Sequence, residues 1–253
     1  MLRTFISGSL AFAIAAAVLQ PVTAFALTDA EKSDIETVVR DYLIRNPEVL
    51  LEALDSLEKK RAVEDQAAVK GAIASARDTL FASPVGTVLG NPEGDVTVVE
   101  FFDYNCGYCK RALADMEQLI SADPKLRFVL KEIPVLGEDS AAATRVSLAL
   151  RHVAPERYGE FHAKLLAHKG VANEDSALQV VEDMGVPEGA VRDAMTLPAV
   201  EAAIAEGAQL AGLLKINGTP SYVVADELVP GAIGGEGLAA KVANVRACAS
   251  ATC

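Results

Sequence analysis

The chain has 253 residues, 51% of them hydrophobic, enough for one sizeable core with further elements around it. With 23 Lys and Arg against 35 Asp and Glu, the formal net charge is −12 and the pI about 4.8. A phosphate backbone would be repelled by such a chain, which excludes nucleic acid as a partner.

Residues 1–26 read as a secretory signal peptide. Arg3 supplies a positive start, Leu10 to Leu19 an apolar block, and Ala24-Phe25-Ala26 a small-x-small cleavage site. The block is short for a membrane span, so cleavage after Ala26 is preferred to an anchor. Export to the periplasm would place all four cysteines where disulfides persist.

Residues 27–82 read as a purely helical arm and linker. Thr28 and Glu31 have capping-box spacing, and Ile35, Val38, Val39, Tyr42 and Leu43 form an apolar stripe. Asn46-Pro47 ends that helix and starts a second, along which Val49, Leu50, Ala53, Leu54 and Leu57 continue the stripe. A helix from Pro47 to about Leu80 would be on the order of 50 Å long, and its apolar half is too small to bury alone. An oligomerisation arm over residues 28–60 is therefore expected, with a helix folded back on its own domain as the alternative.

Ser83-Pro84 breaks the helix, a short strand is expected at Thr87-Val88-Leu89, and Asn91 to Asp95 is a turn. Val96 to Phe102 is rich in β-branched and aromatic residues and predicts a buried strand. Cys106-Gly107-Tyr108-Cys109 follows, then a helix with Leu113, Met116 and Ile120 on one face. Two cysteines on a first helical turn can close a disulfide or open to a dithiol. Unpaired N–H groups and the helix dipole there favour a thiolate at Cys106, the attacking species in disulfide exchange. Cys109, one turn in, would resolve the mixed disulfide. Glu100 sits inside the apolar strand, where a carboxylate is costly; with a raised pKa it would take a proton from Cys109.

Leu126 to Ile133 is the next strand and completes a βαβ unit. Lys131 on it is expected to be solvated, with pairing to Glu100 as the alternative. Residues 138–214 read as a helical block: Ser140 as a cap, Pro155, Asn173, Pro187 and Pro198 as further helix starts. Ser221 to Val224 and Leu228 to Ile233 predict a hairpin around Asp226-Glu227, and Gly237 to Cys248 a closing helix. His152, His162 and His168 lack zinc-motif spacing and read as structural or surface residues. No metal site is expected. A zinc site from all four cysteines is the rival to a local clip disulfide between Cys248 and Cys253.

The segment Glu-Phe-Phe-Asp-Tyr-Asn-Cys-Gly-Tyr-Cys at Glu100 to Cys109, with Ile216-Asn217-Gly218-Thr219-Pro220-Ser221-Tyr222 further on, resembles the DsbA-like thiol–disulfide oxidoreductases of the thioredoxin superfamily. The resemblance covers roughly Val85 to Arg246, and the arm is similar to that of the ScsC-like and Com1-like members. It implies an α/β chain: a thioredoxin fold over residues 83–253 with an inserted helical domain, preceded by the arm. It also implies a cis Pro220 beside the redox-active Cys106–Cys109 disulfide, with no other cofactor, and substrate held by Thr219, Pro220, Gly107 and Tyr108.

Gly107-Tyr108 and Thr219 resemble the DsbC-type isomerases more than the Pro-His oxidases, so isomerase or reductase is preferred to oxidase. Unfolded or misfolded exported proteins are the expected substrates. A DsbD-like or DsbB-like membrane protein is the expected redox partner. The rival of another class is Cu(I) binding by Cys106 and Cys109, since soft thiolates suit that ion and ScsC-like proteins are linked with copper tolerance.

Overall fold

The computed structural model describes residues 27–84 and 86–253. The leader expected over residues 1–26 lies outside them. The chain divides into two compact units at Lys59/Lys60, earlier than the 82/83 boundary read from the sequence.

In the first unit, α1 (Asp29–Arg45) is capped as its sequence predicts. The Thr28 hydroxyl accepts from the Glu31 amide, and the Glu31 carboxylate accepts from the Thr28 amide at 2.8 Å. No residue of α1 is buried. Asn46 caps its C-terminus, and α2 (Glu48–Ser75) starts immediately after Pro47 and runs on into the second unit. The expected continuation to Leu80 is interrupted by a turn at Ala76, after which α3 (Arg77–Leu80) completes it. The break turns Leu80 into the core, where it and Ile73 are fully covered.

The second unit is built on five strands in the order β1-β3-β2-β4-β5. Strand β2 (Val96–Phe102) lies at the centre and buries six of its seven residues. Such burial on both faces explains why its sequence is nearly continuous in apolar residues rather than alternating. It runs parallel to β3 (Leu126–Glu132), to which α4 (Gly107–Ala122) connects it. On its other side it pairs antiparallel with β4 (Ser221–Val224). The short β1 (Leu89–Gly90) edges β3, starting two residues later than expected.

The hairpin partner β5 (Glu227–Pro230), by contrast, starts one residue earlier than expected. The two-residue connection Ala225-Asp226, with Ala225 at φ 51°, turns the chain sharply enough to bring Glu227 into register with Val224.

One face of the sheet carries Val96, Val98, Phe102, Phe128 and Leu130 against α4 and the helical block. That block comprises α5 (Glu138–Val153), α6 (Tyr158–Ala167), α7 (Glu174–Asp183) and α8 (Glu188–Ala194). The closing helix α10 (Gly234–Cys248), three residues longer than read from sequence, joins α4 on this side.

The other face carries Val99, Phe101, Val129 and Val223 against Ile73, Leu80, Leu210 and Leu214. The last two belong to α9 (Pro198–Leu213) and its cap. At Gly207 a β-carbon would stand 2.5 Å from the Glu132 carbonyl, so glycine permits α9 to cross the end of β3. Each fully buried Phe contributes about 1.5–3 kcal/mol by removal from water.

Candidate active site

β2 ends at Phe102, and three residues carry the chain to Cys106, the cap of α4. Asp103 makes this passage tight. Its carboxylate accepts from the Asn105 amide at 2.8 Å, and its carbonyl accepts from the Cys106 amide at 3.0 Å. Asp and Asn favour such side-chain-closed turns. The same carboxylate accepts from the Ser140 hydroxyl at 2.8 Å and the Leu136 amide at 3.0 Å. Ser140 therefore lies inside α5, with Gly137 as the actual cap, because its hydroxyl is engaged by Asp103 rather than by its own helix end. Asn105 accepts from the Ala172 amide at 2.7 Å and donates to the Ala172 carbonyl at 2.8 Å.

This turn leaves Cys106 nearly buried and Cys109 fully so, both as free thiols. The Cys106 thiol donates to the Thr219 carbonyl at 3.1 Å. The Thr219–Pro220 peptide is cis, and the Pro220 carbonyl accepts from the Gly231 amide at 2.9 Å. A groove of about 340 Å³ opens alongside, lined by Tyr108, Thr219, Pro220, Pro230 and Ala232 among others. Tyr108 stands 61% exposed, with the Arg111 guanidinium 4.2 Å from its ring centre. Gly107 faces open space. Thus Cys106, Gly107, Tyr108, Thr219 and Pro220 share one surface.

Glu100 lies beneath it, between Leu130 and Tyr222 in register. Burial alone pushes its carboxyl up to about 8. Burial also pushes the Cys109 thiol well up, and Cys106 and Glu100 add to this while the Asp103 backbone partly offsets it. Burial and then Glu100 push the Tyr222 hydroxyl up in the same direction. A carboxyl with a value of about 8 keeps a carboxylate fraction near neutral pH, and that ionised form can take a proton from Cys109.

Lys131 overturns the sequence expectation. It is buried, not solvated, and it does not meet Glu100. Strand alternation puts Glu100 on the face of Leu130, while Lys131, opposite Phe101, lies on the other. There its ammonium donates to the Thr79 and Ala82 carbonyls at 3.0 and 3.2 Å and pairs with Glu206 at 2.7 Å.

Cys248 and Cys253 are joined by a disulfide far along the chain from the dithiol. His162 is buried edge-on to Phe102, and burial pushes it down to about 3. Among the described residues no cluster of three or more His, Cys, Asp or Glu side chains is placed to hold a metal ion. Asp103, Tyr104, Asn105 and Glu132 were not singled out by sequence reasoning. The Asp-x-Asn turn signature marked the first and third. Glu132, a carboxylate ending an apolar strand, carried the same signal as Glu100.

A model of the DsbA-like thioredoxin domain matches residues 97–243, spanning β2 through most of α10. The chain belongs to the DsbA-like thioredoxin family. In this DsbA-like chain, residues 31–64 match a second model, described as the copper resistance protein ScsC N-terminal domain.

Among solved structures, a thioredoxin-like oxidoreductase from Silicibacter pomeroyi DSS-3 is 47% identical, with a TM-score of 0.64 over 68% of this chain and 98% of that one. Proteus mirabilis ScsC in a compact conformation is 28% identical, with a TM-score of 0.64 over 85% of this chain and 98% of that one. The chain spans only about a quarter of the length of the curated relatives it matches. One is an Na(+)/H(+) antiporter from Salinispora arenicola, 28% identical over 157 residues, 62% of this chain and 24% of that protein.

Proposed function

We propose that this DsbA-like chain is an exported protein thiol–disulfide oxidoreductase working through Cys106 and Cys109. The observation that carries this reading is the Cys106 thiol 3.1 Å from the Thr219 carbonyl, at the edge of the groove beside Pro220. A substrate strand laid along Thr219 would bring its disulfide to Cys106. The Cys106 thiolate attacks one substrate sulfur, forming a mixed disulfide and releasing the other as a thiolate. For isomerisation, that released thiolate or another substrate thiol attacks the mixed disulfide and regenerates Cys106. For reduction, Cys109 attacks Cys106 instead. The Cys106–Cys109 disulfide forms and the second substrate sulfur leaves. Glu100, in its carboxylate form, takes the Cys109 proton and passes it on to that leaving thiolate, so that the substrate ends as a dithiol.

Gly107-Tyr108 and the arm favour isomerase or reductase over oxidase. An arm that joins copies through residues 28–60 would present several dithiols around one misfolded exported protein. Isomerisation requires the reduced form, hence a DsbD-like reductant; oxidation requires a DsbB-like acceptor. The leader-like residues 1–26 support a periplasmic site of action.

The test is reactivation of scrambled ribonuclease, alongside oxidation of its reduced form, with and without residues 27–61. Rescue that is lost on truncation, with exchange retained, supports the oligomeric isomerase. Oxidation alone, unchanged by truncation, supports an oxidase and removes the role given to the arm.

The ScsC-type match over residues 31–64 favours one second reading, Cu(I) capture by the two thiols. Tight 1:1 Cu(I) binding by the reduced protein without exchange activity would replace the enzyme reading with it.

A further inference from the structure

Glu132 is a second buried carboxyl, 4% exposed, that the exchange chemistry above does not use. It closes β3 opposite Phe102 and faces the helical block. Its Oε1 accepts from the Ser147 hydroxyl of α5 at 2.8 Å and from the Tyr158 hydroxyl of α6 at 2.9 Å. Its Oε2 is buried with no partner. The Ser147 oxygen lies 2.8 Å from the Tyr104 hydroxyl. A serine has one proton, and here it goes to Glu132, so Tyr104 must be the donor to Ser147. The donation therefore runs one way, from Tyr104 to Ser147 to Glu132, whether or not Glu132 carries a proton on Oε2. Burial pushes Glu132 up to about 7, with Arg151 and then the Ser147 and Tyr158 hydroxyls opposing, and burial and Glu132 in turn push the Tyr104 and Tyr158 hydroxyls up.

Tyr104 stands two residues before Cys106 and is fully buried. Its neighbours Asp103 and Asn105 are each pinned to the segments that follow β3 and α6. All three residues that deliver Cys106 are thus tied down by side chains, and Tyr104 depends on Glu132 for the end of its tie.

We propose that Glu132 is a positioning residue for the dithiol: its Oε1 holds Tyr104 through Ser147, and this fixes the backbone that sets Cys106 against Thr219. The inference rests on the reading of Cys106 as the attacking thiol. What matters is an acceptor oxygen at this place, so an amide should serve and a hydrocarbon should not.

The experiment compares Tyr104→Phe, Ser147→Ala, Glu132→Leu and Glu132→Gln in full-length protein, by steady-state exchange on a disulfide peptide and by iodoacetamide alkylation of Cys106. Misplacing the attacking sulfur by a fraction of an ångström is expected to lower kcat about tenfold in Tyr104→Phe and Glu132→Leu. KM should stay within about twofold, because the Thr219–Pro220 groove is untouched. Glu132→Gln should restore kcat to within about threefold of the parent, and alkylation rates should follow the same pattern.

Folded Tyr104→Phe and Ser147→Ala proteins with parental kcat and alkylation rates would overturn the proposal, even if Glu132→Leu failed to fold. So would Glu132→Gln behaving like Glu132→Leu. If the parent protein shows no exchange, the functional reading fails by itself, while the alkylation series still decides whether Glu132 positions Cys106.

Discussion

Helix α1 and strand β2 are both recognisable from sequence alone, yet they end in opposite surroundings. In α1 the stripe Ile35, Val38, Val39 and Tyr42 stays about half exposed or more, and no residue is buried. In β2 only Thr97 escapes full burial. The difference lies in what each has to pack against. A helix satisfies its own backbone hydrogen bonds and can form with an unpartnered apolar face. A strand cannot, so β2 exists only because β3 and β4 flank it and helices cover both faces. Local signals therefore state what α1 is but not what covers it. For β2, identity and covering arrive together.

The sharpest break of this contrast is chemical. Cys106→Ser should reduce exchange to background while leaving secondary structure and any self-association through the arm unchanged; circular dichroism and sedimentation would check the latter. If exchange survives, the dithiol is not the working centre.

Packing comes next. Phe101→Ala, in a fully covered position, should cost about 3–5 kcal/mol in urea unfolding, whereas Leu54→Ala in the arm should leave the same transition within error. A comparable loss at Leu54 would show that the arm face is covered, and sedimentation would tell whether a second copy or the chain's own domain covers it.

Glu100 sharpens the contrast through pH. Its folded value, about 8, lies above its ordinary value of 4.5, so the folded state holds its proton more tightly than the unfolded chain. The stability this contributes is complete below about 4.5 and is lost as pH rises towards 8. Glu100→Gln should flatten that decline, by on the order of 2–4 kcal/mol between pH 5 and pH 8 in urea titrations. Parallel curves for the two proteins would mean that Glu100 is not held protonated.

The smallest effect concerns the terminal clip. Replacing Cys248 and Cys253 together by Ser should cost at most about 2 kcal/mol, because the loop they close is short, and exchange should be unaffected. Lost exchange in that variant would make the pair part of the redox machinery.

Much of the site was legible in the chain because its signals are local. The Cys106-x-x-Cys109 spacing, the strand before it, the Thr28 capping box and the Asn46-Pro47 junction each involve residues a few positions apart, governed by backbone geometry and hydrogen bonding within a turn. Glu100 was legible as an anomaly, a carboxylate in an apolar run. What escaped needed the third dimension. The burial of Lys131 and its pairing with Glu206 follow from which face of β3 meets α9, which no short window of sequence contains. Ser140, read as a cap, belongs to Asp103 because α5 lies against the turn before Cys106. The Glu132–Ser147–Tyr104 chain joins three elements whose order along the sequence says nothing of their contact. By itself the sequence determined the elements, the dithiol and the family. Only the tertiary structure decided which buried polar groups meet, because a hydrogen bond across elements depends on register and packing angle, which are properties of the assembled core.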